Sequence, residues 1–186
     1  MLRRILISCW LLVFVISCGK PKPDEKALAM NGAYNALLTK YQNLLRSAEN
    51  DSLYRVLLEN KKSDLTMLLK QYQSESSTAG LELVRSQILI ELKEYERAGQ
   101  ILDQIITQES PYSASARFHK VRVLQSTNNY EEALELFRPI EEKVAVDEQY
   151  LEVLYNFAFE APELRDQEYF SRKLLHLNKW PENDLR

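Results

Sequence analysis

Beyond residue 26 the apolar residues step by three and four, the spacing that gathers side chains on one face of an α-helix. Tyr34, Leu37, Leu38, Tyr41, Leu44, Leu45 and Ala48 form the first such face and predict a helix ending near Glu49. Leu53, Val56 and Leu57 give the stripe of a short second helix, for which Asp51 or Ser52 offers a side-chain oxygen as cap. Ser63 then reads as the cap of a third helix through Leu65, Leu68, Leu69 and Tyr72, ended by the polar run 73–78. The next helix is expected over 79–92, with Leu83, Val84, Ile88 and Leu89 inward. Glu94-Tyr95-Glu96-Arg97-Ala98 opens its partner after so short a turn that the two must run antiparallel.

The pattern then repeats. Tyr95, Ala98, Leu102 and Ile105 recur as Tyr130, Ala133, Phe137 and Ile140, each 35 residues further on. A fixed period of this size, carried by helically spaced apolar residues, belongs to stacked helical hairpins. Ser110-Pro111 predicts a helix start, because a proline in the first turn lacks only an N–H that would be unpaired anyway. Asn128-Asn129 form the next turn, where Asn129 and Glu132 make an approximate capping box. Pro139 should kink or stop the following helix near Arg138, since it removes a backbone donor and crowds the preceding turn. Tyr150, Leu151, Leu154, Tyr155 and Ala158 mark one last helix, and Tyr169, Phe170, Lys173, Leu174 and Leu177 mark its partner beyond Ala161-Pro162. Trp180 is expected to fold back as a cap on this pair.

Ala116, the run Tyr130-Glu131-Glu132-Ala133-Leu134, and Phe137 resemble the core of a tetratricopeptide repeat. Tyr95, Ala98, Leu102 and Pro111 resemble the repeat before it, so that the clearest copies lie at 79–112 and 114–147. The physical logic fits: Ala98 and Ala133 allow close helix approach, Tyr95 and Tyr130 fill the space beside the turn, and Leu102 and Phe137 seal against the next hairpin. Val121, where a small residue is usual, and a period one longer than the common 34 make the match a degenerate one. The resemblance implies an all-α fold of antiparallel hairpins stacked as a short tetratricopeptide-like solenoid over 27–186. It also implies a concave groove lined by the first helix of each hairpin, here Leu83, Gln87, Ile90 and Glu91, then Ser115, Phe118, His119, Arg122 and Gln125. By spacing alone Phe118, His119, Arg122 and Gln125 share one strip of helix. There the planar guanidinium of Arg122 would anchor a partner and Phe118 would supply apolar area.

The chain opens differently. Arg3 and Arg4 precede an apolar run, 5–16, that is too short to span a bilayer, and Ser17 is a small residue before a cut, so 1–17 reads as a secretory signal. Val15-Ile16-Ser17-Cys18 resembles the lipobox of bacterial lipoproteins. That resemblance implies that Cys18 is acylated and becomes the amino terminus. It makes 18–26, with Pro21 and Pro23, an extended tether. Gly19, in place of aspartate, resembles the outer-membrane sorting class and implies a periplasm-facing location.

Composition narrows the chemistry. The formal net charge is −3 and becomes more negative when Arg3 and Arg4 leave with the signal, so nucleic acid is not expected as a partner. Both cysteines precede residue 19, and the two histidines, His119 and His176, sit in no ligand-spaced cluster. No metal, cofactor or enzymatic activity is therefore expected. Two classes remain: a lipid-anchored scaffold or adaptor that binds another envelope protein, or an enzyme or solute-binding lipoprotein, which would need a deep pocket with converging titratable groups.

Overall fold

The computed structural model describes residues 24–144 and 147–177. The expected signal, Cys18, most of the tether and Trp180 lie outside the described residues. Among those described, eight α-helices and one 3₁₀ segment form an all-α stack of four antiparallel hairpins. The first joins α1 (Glu25–Arg46) to α2 (Asp51–Gln71), and the second joins α3 (Ala79–Glu91) to α4 (Tyr95–Thr107). The third joins α5 (Ser113–Ser126) to α6 (Tyr130–Phe137), which runs into a 3₁₀ turn over Arg138–Lys143. The fourth joins α7 (Glu148–Glu160) to α8 (Leu164–His176). Helices α1, α3, α5 and α7 pack successively, giving a helical-repeat solenoid.

Short polar side chains start several helices by accepting from free first-turn amides. Asp24 accepts from the Ala27 amide at 3.0 Å, Asn50 from Leu53 at 2.9 Å, Thr78 from Leu81 at 3.2 Å and Asp147 from Tyr150 at 2.9 Å. The 35-residue echo reappears in the backbone itself. Lys93 and Asn128 both take a left-handed φ of 61°. Beside them, the amides of Glu94 and Asn129 reach back to the carbonyls of Leu89 and Leu124, each at 2.8 Å. Each helix thus ends in the same Schellman turn before its partner begins.

Three apolar clusters hold the stack. Met30, Tyr34, Leu65, Leu81 and Ile88 join α1, α2 and α3. Leu83, Ile90, Ala98, Leu102, Ile105 and Ala116 join α3, α4 and α5. The third cluster is aromatic: Phe137 lies 5.4 Å from Phe157 and 6.1 Å from Phe170, ring centre to ring centre. Pro139 has the expected effect, with α6 ending at Phe137 and a 3₁₀ turn carrying Ile140 into the core.

Several local expectations need correction. The two helices expected between 51 and 72 are one, α2, because Ser63 lies on its exposed face and does not interrupt it. Its cap is Asn50, and Leu53 and Val56, expected inside, are 42% and 53% exposed. Helix α1 begins at Glu25, inside the expected tether, because Asp24 caps it. Helix α5 starts at Ser113 without a side-chain cap; Ser110 Oγ instead accepts from the Tyr112 amide at 3.2 Å within the preceding turn. Asn129 makes no capping bond and donates to Thr127 Oγ1. In the last hairpin Val153 and Phe157 belong to the core, whereas Tyr169 is half exposed.

Candidate functional site

A cavity of about 570 Å³ opens between the first helices of the first three hairpins and the segment that leads into α7. Helix α5 forms its back wall with Ala114, Ser115, Phe118 and His119, and α3 adds Gln87. Helix α1 supplies Asn31, Tyr34 and Asn35. Lys143 and Val144, with Asp147, Glu148 and Gln149 at the start of α7, close the opposite side. The wall mixes amides, the hydroxyls of Tyr34 and Ser115 and the charges of Lys143, Asp147 and Glu148 with the apolar surfaces of Phe118, Ala114 and Val144.

The nine residues expected in a groove separate in the structure. Gln87, Ser115, Phe118 and His119 line the cavity together. Leu83 and Ile90 are interior residues of the α3–α5 cluster, because α3 is covered on several sides and eight of its thirteen residues are buried. Gln125 is also buried. Its Nε2 donates to the Val153 carbonyl at 3.1 Å and its Oε1 accepts from Asn156 Nδ2 at 3.2 Å, which ties α5 to α7. Glu91 pairs with Lys61 at 2.7 Å, and Arg122 lies 3.6 Å from Glu152, so neither belongs to the cavity wall. The single strip read from helical spacing is thus divided between a wall and an inter-helix brace.

Asn31, Tyr34 and Asn35, together with Lys143, Val144, Asp147, Glu148 and Gln149, were missed by the sequence reading. Helical spacing puts Tyr34 on the inner face of its helix, but which later helix that face meets has no local signal.

Electrostatically, the wall is quiet where it is most buried. Burial, and after it the nearby Arg122 charge, pushes the His119 imidazole down to a pKa of about 3. Burial also raises the Tyr34 phenol well above its ordinary range, with the Glu91 charge adding to the effect. Both groups are neutral at neutral pH. Gln87 Nε2 lies 2.6 Å from His119 Nε2; with the amide donating, the ring accepts there and carries its proton on Nδ1. His119 Nδ1 and Tyr34 Oη are both buried without a hydrogen-bond partner. Among the described residues, no three His, Cys, Asp or Glu side chains converge to hold a metal ion. No helix among them is long and apolar enough to cross a membrane.

Residues 89–154 match the family model for the tetratricopeptide repeat, a span from the end of α3 into α7 that contains both copies of the 35-residue echo. No curated protein and no solved structure matches the chain. The chain carries tetratricopeptide-like helical repeats, a repeat type that generally mediates protein–protein interaction.

Proposed function

We propose that the protein is a lipid-anchored adaptor of the bacterial cell envelope, held by an acyl group on Cys18 at the periplasmic side of the outer membrane. Its repeats receive a segment of another envelope protein. The observation that carries the binding role is the open cavity of about 570 Å³ along the first helices of the repeats, with amide and apolar groups side by side in its wall. The anchor rests on Val15-Ile16-Ser17-Cys18 and on Gly19 after it.

Two measurements test the two halves. Labelled palmitate should enter the wild type and not Cys18→Ala; label in the variant, or a wild type that washes off the membrane without detergent, rejects the anchor. A photo-crosslinking residue at Ser115, exposed on the cavity wall, should capture one protein in the native envelope. The same residue at Glu168, on exposed α8 surface, should not. Equal capture at both positions, or none at Ser115, rejects the cavity as the docking site.

A further inference from the structure

One face of α2 continues beyond the helix it packs on. Tyr54, Leu58, Lys61, Leu65, Leu69 and Tyr72 follow one another by steps of three and four, so they share a stripe along the helix. Its second half is covered: Leu65, Leu69 and Tyr72 lie in one apolar cluster with Leu81, Val84 and Ile88 of α3. Lys61 marks where that cover stops, because it pairs at 2.7 Å with Glu91, the last residue of α3. Before Lys61 the helix runs on for about 15 Å, and there Tyr54 and Leu58 are 45% and 41% exposed. A bare apolar stripe in line with a buried one is shaped to meet another helix.

The charges around the bare half identify the occupant. Arg46, Glu49, Asp51, Arg55, Glu59 and Lys62 are three bases and three acids, and among the described residues none of them makes an ion pair or a side-chain hydrogen bond. A surface without net charge draws neither a polyanion nor a polycation, but it can complement a copy of itself. We propose that the protein self-associates through the outer half of α2, two copies crossing antiparallel about a two-fold axis level with Val56, which itself lies on the far side of the helix. Tyr54 of each copy then faces Leu58 of the other. Asp51 and Lys62, eleven residues apart, lie on one flank of the stripe, and the same axis sets Asp51 of each copy against Lys62 of the other. The second copy thus supplies to Tyr54 and Leu58 the cover that α3 supplies to Leu65 and Leu69. Because the contact uses the same patch on both copies, it closes on itself and gives a pair, not a fibre. A patch of this length buries less than the roughly 800 Å² per partner of a standard interface, so the pair is weak in dilute solution and is best caught in the cell.

The test uses the full chain in intact cells, carried as two differently tagged copies, with a photo-crosslinking residue in place of Leu58. The product should contain both tags at twice the mass of the chain. The same residue at Met67, nine positions on and therefore on the opposite face of α2, where it is 58% exposed, should give none. Asp51→Lys and Lys62→Asp each set like charges face to face and should lower the Leu58 product roughly tenfold. The double variant restores opposite charges and should bring the product back. It also keeps whatever each substitution does to the helix itself, so its recovery separates the contact from the fold. The pairing is overturned if Leu58 yields no product or captures only a different protein. Equal self-capture at Leu58 and Met67, or a double variant no better than the single ones, overturns it as well.

Discussion

The first hairpin and the repeats that follow it are made of similar helices but use their apolar residues in opposite ways. Helix α2 spans 21 residues and buries only Leu65 and Leu68, whereas α3 spans 13 and buries eight. The cause is length. At 1.5 Å per residue α1 and α2 reach about 33 Å, against about 20 Å for α3, so the outer half of the first hairpin has no neighbouring hairpin to lie against. Leu53, Tyr54, Val56 and Leu58 are left on the surface there. An amphipathic stripe therefore marks a helix but not its burial, which depends on a partner of matching reach.

Substitutions should divide along the same line. Phe137→Ala opens a hole among Phe157, Phe170 and Tyr150 and should cost about 3–5 kcal/mol in chemical denaturation. Leu53→Ala and Val56→Ala in the outer half of α2 should each change stability by no more than about 0.5 kcal/mol. A large loss at Val56 would show that something covers the outer hairpin in solution.

Next in size is a pH effect in the packed half. His119 ionises near pH 3 in the folded chain and near its ordinary value when unfolded. Between those values the unfolded chain binds the extra proton, so stability is complete above about pH 6.5 and declines as pH falls toward 3. The slope should approach about 1.4 kcal/mol per pH unit, or roughly 2 kcal/mol between pH 6.5 and 4.5. Around the ring, Gln87 of α3 meets Nε2, Phe118 packs beside it at 5.7 Å and the Arg122 charge adds to the downward shift. Asp24 and Asp64, lowered chiefly by hydrogen bonds from Thr78 and Tyr41, lose their contributions only at more acid pH. His119→Gln should flatten the slope over that range; an unchanged slope would place the responsible group elsewhere.

The smallest effect compares the two Schellman turns with each other. Lys93→Gly should stabilise the chain by about 1 kcal/mol, because a side chain is strained at a φ of 61°. Asn128→Gly should gain less, since asparagine tolerates that conformation. Thermal melts of the two variants decide it, and equal shifts would deny that Lys93 is strained.

What could be read in the sequence follows the same division. The hairpins α3–α4 and α5–α6 announce themselves because Tyr95, Ala98 and Leu102 are answered 35 residues later, and Pro139 states where α6 must end. The first hairpin has no such echo. Ser63 therefore reads as the cap of a new helix, when it lies on the exposed face of one long helix. At the site, Phe118 and His119 could be placed from their helix alone. Gln125 could not, because whether an amide meets solvent or the Val153 carbonyl is decided by α7, 28 residues away. Tyr34 was missed as a wall residue for the same reason, its partners being set by how α1 crosses α3.

Every packed pair of α-helices among the described residues lies no more than two α-helices apart along the chain. Loop closure is therefore cheap at each step, and the stack can assemble as a zipper, one hairpin templating the next. The cluster of Met30, Tyr34, Leu65, Leu81 and Ile88 needs nothing beyond α3. A chain delivered amino terminus first can thus bury its opening core while the aromatic cluster around Phe137 is still waiting for its own residues to emerge.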